Sequence, residues 1–403
     1  MINDSIFKPT PLIIAKLMII TMFSKTKNFI LAFSTLVGTI IGVGMFGLPY
    51  VASRVGLVPM AINMILVGLI VILLHLIYGE IILRTEGRHR LVGYAGIYFG
   101  KSGKIIASLI FFVTLYLALL AYLLVGSEFL KTFFSGWIDL SSGGWAIAMS
   151  ILAFFVIFRG IKIAGSFEIL MTLVLFSLIF GITAYGSGKI DAGNLISFSG
   201  KLDMFLPYGV ILFALAGGSA IPEIRSLLSG ASSKFLKKAI IFGTAVPAMV
   251  YLIFIVTVLG ISGGNTSREA ISGLLPFLGG EFVKYGALVG FLAVITSFFT
   301  IGIAIKNSLI FDFKLPAGIS FVLTSSIPLA LYFFGFSDFI KIFSVAGAVL
   351  GGCEGLLLLA IWARARKKGK RAPEYSVNME KILVFILSVA FLAGIVYEII
   401  YIS

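Results

Sequence analysis

Along the 403-residue chain, apolar positions gather into blocks of about twenty, separated by short charged or Gly/Pro-rich stretches. A helix of that length crosses roughly 30 Å of hydrocarbon, which reads each block as a membrane-spanning helix. The blocks fall at 28–53, 55–80, 104–134, 143–160, 164–186, 203–229, 236–262, 281–308, 317–335, 340–363 and 380–401, predicting eleven spans. No ten-residue alternation suggests a transmembrane barrel, so helices must satisfy the backbone within the bilayer. The apolar stretch over 10–23 is too short to span. It fits an interfacial segment, and a chain start at Met18 or Met22 fits equally; a signal peptide is disfavoured.

Composition agrees with this pattern. The chain is 60% hydrophobic and 12% charged, against roughly half and a quarter in soluble domains. A net charge of +14 in a soluble protein would suggest nucleic acid as partner. Here it reflects topology. With the amino terminus inside, alternate loops leave only Arg54, Lys131, Lys189, Lys201, Arg268, Lys284 and Lys341 outside, of 31 lysines and arginines. That bias predicts an N-in, C-out protein of the cytoplasmic membrane with the lipid bilayer, not nucleic acid, as surroundings. A lone cysteine (Cys353) excludes an intrachain disulfide and a cysteine-built metal site, and two histidines (His75, His89) leave no His-rich metal site.

Two spans break the helical pattern. The first carries Gly38-Thr39-Ile40-Ile41-Gly42-Val43-Gly44-Met45-Phe46-Gly47-Leu48-Pro49, and the sixth carries Leu215-Ala216-Gly217-Gly218-Ser219-Ala220-Ile221-Pro222-Glu223. Glycine and proline at mid-membrane weaken helix propensity and remove a donor. Both breaks share a Gly, four residues, Pro spacing, Gly44 to Pro49 and Gly217 to Pro222. Breaks in spans one and six are what an inverted repeat of two five-helix units predicts. The repeats would cover 28–186 and 203–363, after a cytoplasmic segment 1–27. A basic linker 364–379 and an eleventh span 380–403 follow. Unwound backbone survives at bilayer depth only where it lines a cavity. Half-helix amino ends suit a carboxylate and free carbonyls suit a cation, so an amino-acid zwitterion meets both.

The first-span motif resembles the signature of the amino acid–polyamine–organocation superfamily, closest to the hydroxy and aromatic amino acid permeases and the amino acid/auxin permeases. Ala216–Glu223 resembles their sixth span; Val294-Ile295-Thr296-Ser297-Phe298-Phe299, with Phe311-Asp312-Phe313, resembles their eighth. The resemblance implies the leucine-transporter fold, with an amino acid held by the backbone of Thr39, Ile40, Gly42, Val43 and Gly44 and of Ala216, Gly217, Gly218 and Ser219. Phe213 would cover the substrate side chain, with a tyrosine of span three, Tyr116 or Tyr122, completing the lid. The resemblance further implies a possible sodium position between Gly38 and Ile41 of span one and Ala293, Thr296 and Ser297 of span eight. Some proton-coupled relatives place a lysine there from span five. Leu170-Met171-Thr172-Leu173-Val174 carries none, which favours sodium and leaves protons open.

Among acids inside the spans, Glu223 follows the second break and Glu354 lies between glycines on span ten, so both are candidates for a coupling proton or a gate. Glu223 has Arg225 or Lys306 as expected partners. Glu80, Glu128, Glu168 and Glu398 lie near predicted span ends, where exposure at the interface is expected. His75 is expected to be packed and hydrogen-bonded. No phosphate-binding loop, hydrolase or zinc-protease motif occurs, which disfavours a pump and an enzyme. No repeated filter supports a channel. An ion-coupled secondary carrier of neutral or aromatic amino acids, with no cofactor beyond a coupling Na+ or H+, is the expected function; a channel or a carrier of another small solute on the same fold is the alternative.

Overall fold

The computed structural model describes the backbone of residues 11–159, 165–196, 205–228, 234–311 and 313–402. Among the described residues all regular structure is helical, and each of the eleven hydrophobic blocks contains a helix. Span 1 is a broken pair, 1a (Pro11–Ile40) and 1b (Gly44–Val55), bent by 55°. Spans 2 (Leu57–Arg84), 3 (Leu91–Phe133), 4 (Ser142–Arg159) and 5 (Gly165–Gly186) follow. Span 6 is again split, into 6a (Leu206–Ala214) and 6b (Ile221–Leu227). Then come spans 7 (Leu236–Ser262), 8 (Gly280–Phe311), 9 (Ala317–Phe333), 10 (Phe339–Lys368) and 11 (Lys381–Ile402). Spans 4 and 9 are the shorter apolar helices. The stretch over 10–23 is helical from Pro11 and continuous with span 1a rather than separate from it.

Three boundaries differ from the hydropathy reading. Span 2 continues one turn beyond residue 80, to Arg84. The residues before span 3 form a helical arm, Leu91–Phe99, joined to the span through Gly100, whose φ of 68° only glycine adopts without strain. Span 10 contains a π-turn over Ala346–Gly351, and its basic end stays helical to Lys368.

Lipid tails are as apolar as leucine, so helices in a membrane associate through close packing at small residues. The crossing of spans 6a and 10 shows this at its extreme. A Cβ added to Gly347 would lie 1.8 Å from the Gly209 carbonyl oxygen, and one on Gly209 would lie 2.5 Å from that of Ser344. Backbone meets backbone there, and the π-turn opens span 10 around the contact. Span 3 packs along span 8, while span 1a lies against spans 5, 6b and 7.

Two of the acids expected at the interface are instead buried. Glu80 is fully inaccessible and collects three donors: Arg84 Nε at 2.7 Å, Trp362 Nε1 at 2.8 Å and the Val377 N–H at 2.7 Å. The burial follows from the extra turn of span 2 and from the segment after span 10, which folds back over it. Tyr375 seats against Gly79 and donates to the Leu76 carbonyl, and Lys370 and Arg371 donate their N–H groups to the Arg84 carbonyl. What reads as a polar linker is a strap docked on span 2. Glu398, 2% exposed, accepts the Ser344 hydroxyl at 2.6 Å. Glu128 is half-buried, and the Glu168 side chain lies outside the described residues.

Candidate functional site

Each break forms because helix geometry stops where glycine follows the last well-bonded turn. In span 1 the last regular bond runs from the Ile41 N–H to the Val37 carbonyl at 2.9 Å, and bonding resumes with Met45 to Gly42 and Phe46 to Val43. Among the described residues, the N–H groups of Val43 and Gly44 reach no backbone carbonyl. In span 6 the Ala216 N–H still bonds the Phe213 carbonyl at 3.1 Å, whereas those of Gly218 and Ser219 reach none. The amino end of 1b and the turn that precedes 6b therefore present open donors, an arrangement that receives an anion.

The two breaks interlock reciprocally. A Cβ on Gly44 would lie 2.6 Å from the Ala214 Cα, at the end of 6a; one on Gly217 would lie 2.6 Å from Ile40 Cγ1, at the end of 1a. Each unwound segment packs its glycine against the last residue of the other's first half. Ala216 and Ser219 nevertheless remain exposed, and Thr39, Gly42, Gly218 and Phe213 are half-exposed, so the interlocked backbone borders open space.

Around this centre the sequence candidates divide. Tyr122, rather than Tyr116, brings its hydroxyl to the first break, 3.6 Å from the Cβ position of Gly42; Tyr116 is half-buried further along span 3. Phe213 stacks on Phe343 of span 10, with centroids 4.6 Å apart and 19° between planes. Glu354 sits three residues beyond the π-turn, with Oε1 3.3 Å from the Cβ position of Gly218. Thr39 donates its hydroxyl to the Thr35 carbonyl at 2.8 Å, a bond within its own helix. Ile40, Ile41 and Val43 are buried.

The residues of the implied cation position are less closely gathered. Gly38 faces span 5, where Thr172 Oγ1 lies 3.0 Å from its Cβ position. Thr296 donates to the Ala293 carbonyl at 2.9 Å, and Ser297 is half-buried beside it. Glu223 needs a correction of partner. It is 52% exposed and pairs with Arg90 at 2.6 Å, whereas Arg225 pairs with Glu374 at 3.2 Å and Lys306 donates to the Ile157 carbonyl. The helical turn of 6b points Glu223 toward the arm before span 3, not along its own helix. Among the described residues no cluster of His, Cys, Asp or Glu is disposed to hold a metal.

Two residues at the centre carry more than the sequence assigned them. His75 of span 2 is buried, accepts the Gly217 N–H on Nε2 at 3.3 Å and meets Thr244 Oγ1 of span 7 through Nδ1 at 2.9 Å. A nitrogen that accepts carries no proton, so the ring is the neutral Nδ1–H tautomer and donates to Thr244. It thereby satisfies one of the donors that the second break frees. Tyr251 of span 7 reaches both breaks, through the Ile40 and Ala214 carbonyls. Partners 142 residues apart leave no local trace in a sequence. His75→Leu strands the Gly217 N–H at an expected cost of about 1–3 kcal/mol. A lowered thermal unfolding midpoint and weakened substrate binding are expected, with His75→Gln, which keeps an acceptor, recovering part of both.

Residues 25–400 match the tryptophan/tyrosine permease family. The chain belongs to that family. Family membership makes it a permease of the cytoplasmic membrane rather than an enzyme, and it removes the channel alternative. Among its relatives, glutamine transporter 2 of Aliivibrio fischeri is 25% identical over 364 residues, covering 85% of this chain and 90% of that protein. Tyrosine-specific transport system 1 of Haemophilus influenzae is 24% identical over 378 residues, covering 87% and 92%. In three dimensions the permease resembles MhsT, solved in complex with L-phenylalanine. The TM-score is 0.63 at 15% identity, over 92% of this chain and 97% of that one. The likeness gives the permease the leucine-transporter-type fold that the family resemblance implies, with the broken spans one and six that its inverted repeat requires.

Proposed function

We propose that this permease is a secondary active carrier of a neutral L-amino acid, with aromatic side chains foremost, bound where spans 1 and 6 unwind. One observation carries the reading: open N–H groups at Val43, Gly44, Gly218 and Ser219 lie beside the carbonyl ends of 1a and 6a. An α-amino acid has its carboxylate and ammonium one carbon apart, so the two groups match donors and acceptors set side by side. Tyr122 and Phe213 supply aromatic surface next to that backbone. The names of the relatives, tyrosine and glutamine transporters, and the phenylalanine bound to MhsT point to neutral substrates of this kind. A sodium or proton gradient supplies the driving force. Thr296 and Ser297 are the candidates for sodium, and Glu354, against the second break, for protons.

The test is uptake into liposomes containing the purified chain, with L-tyrosine, L-phenylalanine, L-tryptophan and L-glutamine offered under a sodium gradient or a pH gradient. Saturable accumulation of at least one of them, lost when the gradient is dissipated, is expected. Absence of gradient-dependent accumulation for all four would overturn the proposal.

A further inference from the structure

Span 1a ends at Ile40 and span 6a at Ala214. Helix carboxyl ends carry carbonyls without helical partners and the negative pole of the dipole. Here the two ends meet in the packed centre of the protein, where like poles repel and water is scarce. Such a junction calls for a cation or a donor. The chain supplies a donor from a third helix. Tyr251 of span 7 is fully buried, and its hydroxyl donates to the Ile40 carbonyl at 2.7 Å and lies 3.2 Å from the Ala214 carbonyl. A hydroxyl has one proton, so the two carbonyls share it, the Ile40 bond being the stronger. One phenol thus bridges the end of 1a and the end of 6a.

We infer that Tyr251 is a positioning residue for the substrate ammonium group, setting the separation of the Ile40 and Ala214 carbonyls so that the ammonium can be received by the lone pairs that the hydroxyl leaves free. The inference rests on the binding site proposed above. Each carbonyl oxygen has two lone pairs, and Tyr251 occupies one on each. With the carboxylate on the open N–H groups of Val43, Gly44, Gly218 and Ser219, the ammonium of an α-amino acid is held within one carbon of it, which brings it to these carbonyl ends. Without the hydroxyl, two buried acceptors lose their shared donor, and their mutual repulsion opens the junction. A ring that served only as filler would not need its oxygen between two helix ends. Tyr251 touches the backbone that binds, not the substrate itself.

The discriminating experiment is a chemical double-mutant cycle with the full chain in liposomes. Tyr251→Phe keeps the ring and removes the hydroxyl. Two ligand pairs are measured as inhibitors of uptake: L-tyrosine against 3-(4-hydroxyphenyl)propanoate, and L-glutamine against 4-carbamoylbutanoate, each analogue lacking only the amino group. The preference for the amino acid over its analogue is expected to fall about tenfold in the variant, the scale set by one buried hydrogen bond, with the analogue itself little affected. Placing 4-aminophenylalanine at position 251, whose two N–H donors can serve both carbonyls, is expected to restore the preference. The readout is a ratio within one preparation, so a smaller folded fraction cancels. Equal loss for both members of a pair, complete loss included, or no loss for either, would overturn the inference alone. Failure of the wild type to take up any of the four amino acids named above would overturn the proposed function and the inference with it.

Discussion

Gly44→Ala is expected to lower Vmax/KM for uptake by about 10- to 100-fold, from strain of about 1–3 kcal/mol at an overpacked contact. The new methyl would stand 2.6 Å from the Cα and 2.9 Å from the Cβ of Ala214. Neither atom can rotate away, since one is backbone and the other is fixed to it. The break in span 1 must therefore move off the end of 6a, separating the two halves of the binding site. Gly217→Ala is expected to cost less, because its methyl meets the side chain of Ile40, which can shift its rotamer. Gly181→Ala in span 5, where a Cβ meets nothing within 4 Å, serves as the control and is expected to transport normally. Kinetics of the three variants, normalised to folded protein by size-exclusion chromatography, check the order. Equal activity of Gly44→Ala and Gly181→Ala would contradict the interlock.

Glu80→Ala is expected to destabilise the fold by about 3–5 kcal/mol, the range for stripping one partner from a buried ionic cluster. It leaves the Trp362 indole and the Val377 N–H without their acceptor and the largely covered Arg84 guanidinium without its counter-charge, with the Ser376 hydroxyl as its remaining side-chain acceptor. The strap after span 10 loses its main anchor to span 2, so trypsin should cut faster at Lys370 and Arg371 as the melting temperature falls. By contrast, Glu223→Gln breaks an ion pair whose side chains are 69% and 52% exposed, and such pairs contribute at most about 1 kcal/mol. Unchanged stability and trypsin sensitivity in Glu80→Ala would show that the strap is held by something else.

What could be read in the sequence was what depends on local periodicity. The span positions follow from runs of apolar residues, and the breaks from Gly/Pro spacing, because both are properties of neighbouring residues in the chain. The family resemblance, carried by the motifs of spans one, six and eight, implies the fold as well. Long-range pairing was not legible. His75 is packed and hydrogen-bonded as its place in span 2 suggests, but nothing local indicates that its partner is the freed Gly217 N–H of another helix. Tyr251 carried no signal at all, since aromatic residues are common in spans and its two acceptors are backbone. Glu80 and Glu398 were misjudged for a related reason. Distance from a predicted span end measures exposure only if nothing folds over that end, and the strap and the span 10–11 packing do so. Glu223 found Arg90 rather than the nearer Arg225 because a short helix turns successive side chains to different faces.

Substrate protection at position 219 tests the central claim, that the amino acid sits in the breaks of spans 1 and 6. Ser219→Cys is placed in a Cys353→Ser background, which removes the only native cysteine, and alkylation by a membrane-permeant maleimide is timed with and without saturating substrate. Position 219 is exposed beside the unwound segment, so rapid labelling that slows several-fold with the transported amino acid is the predicted result. Labelling at the same rate with and without substrate, in a variant that still transports, would contradict it.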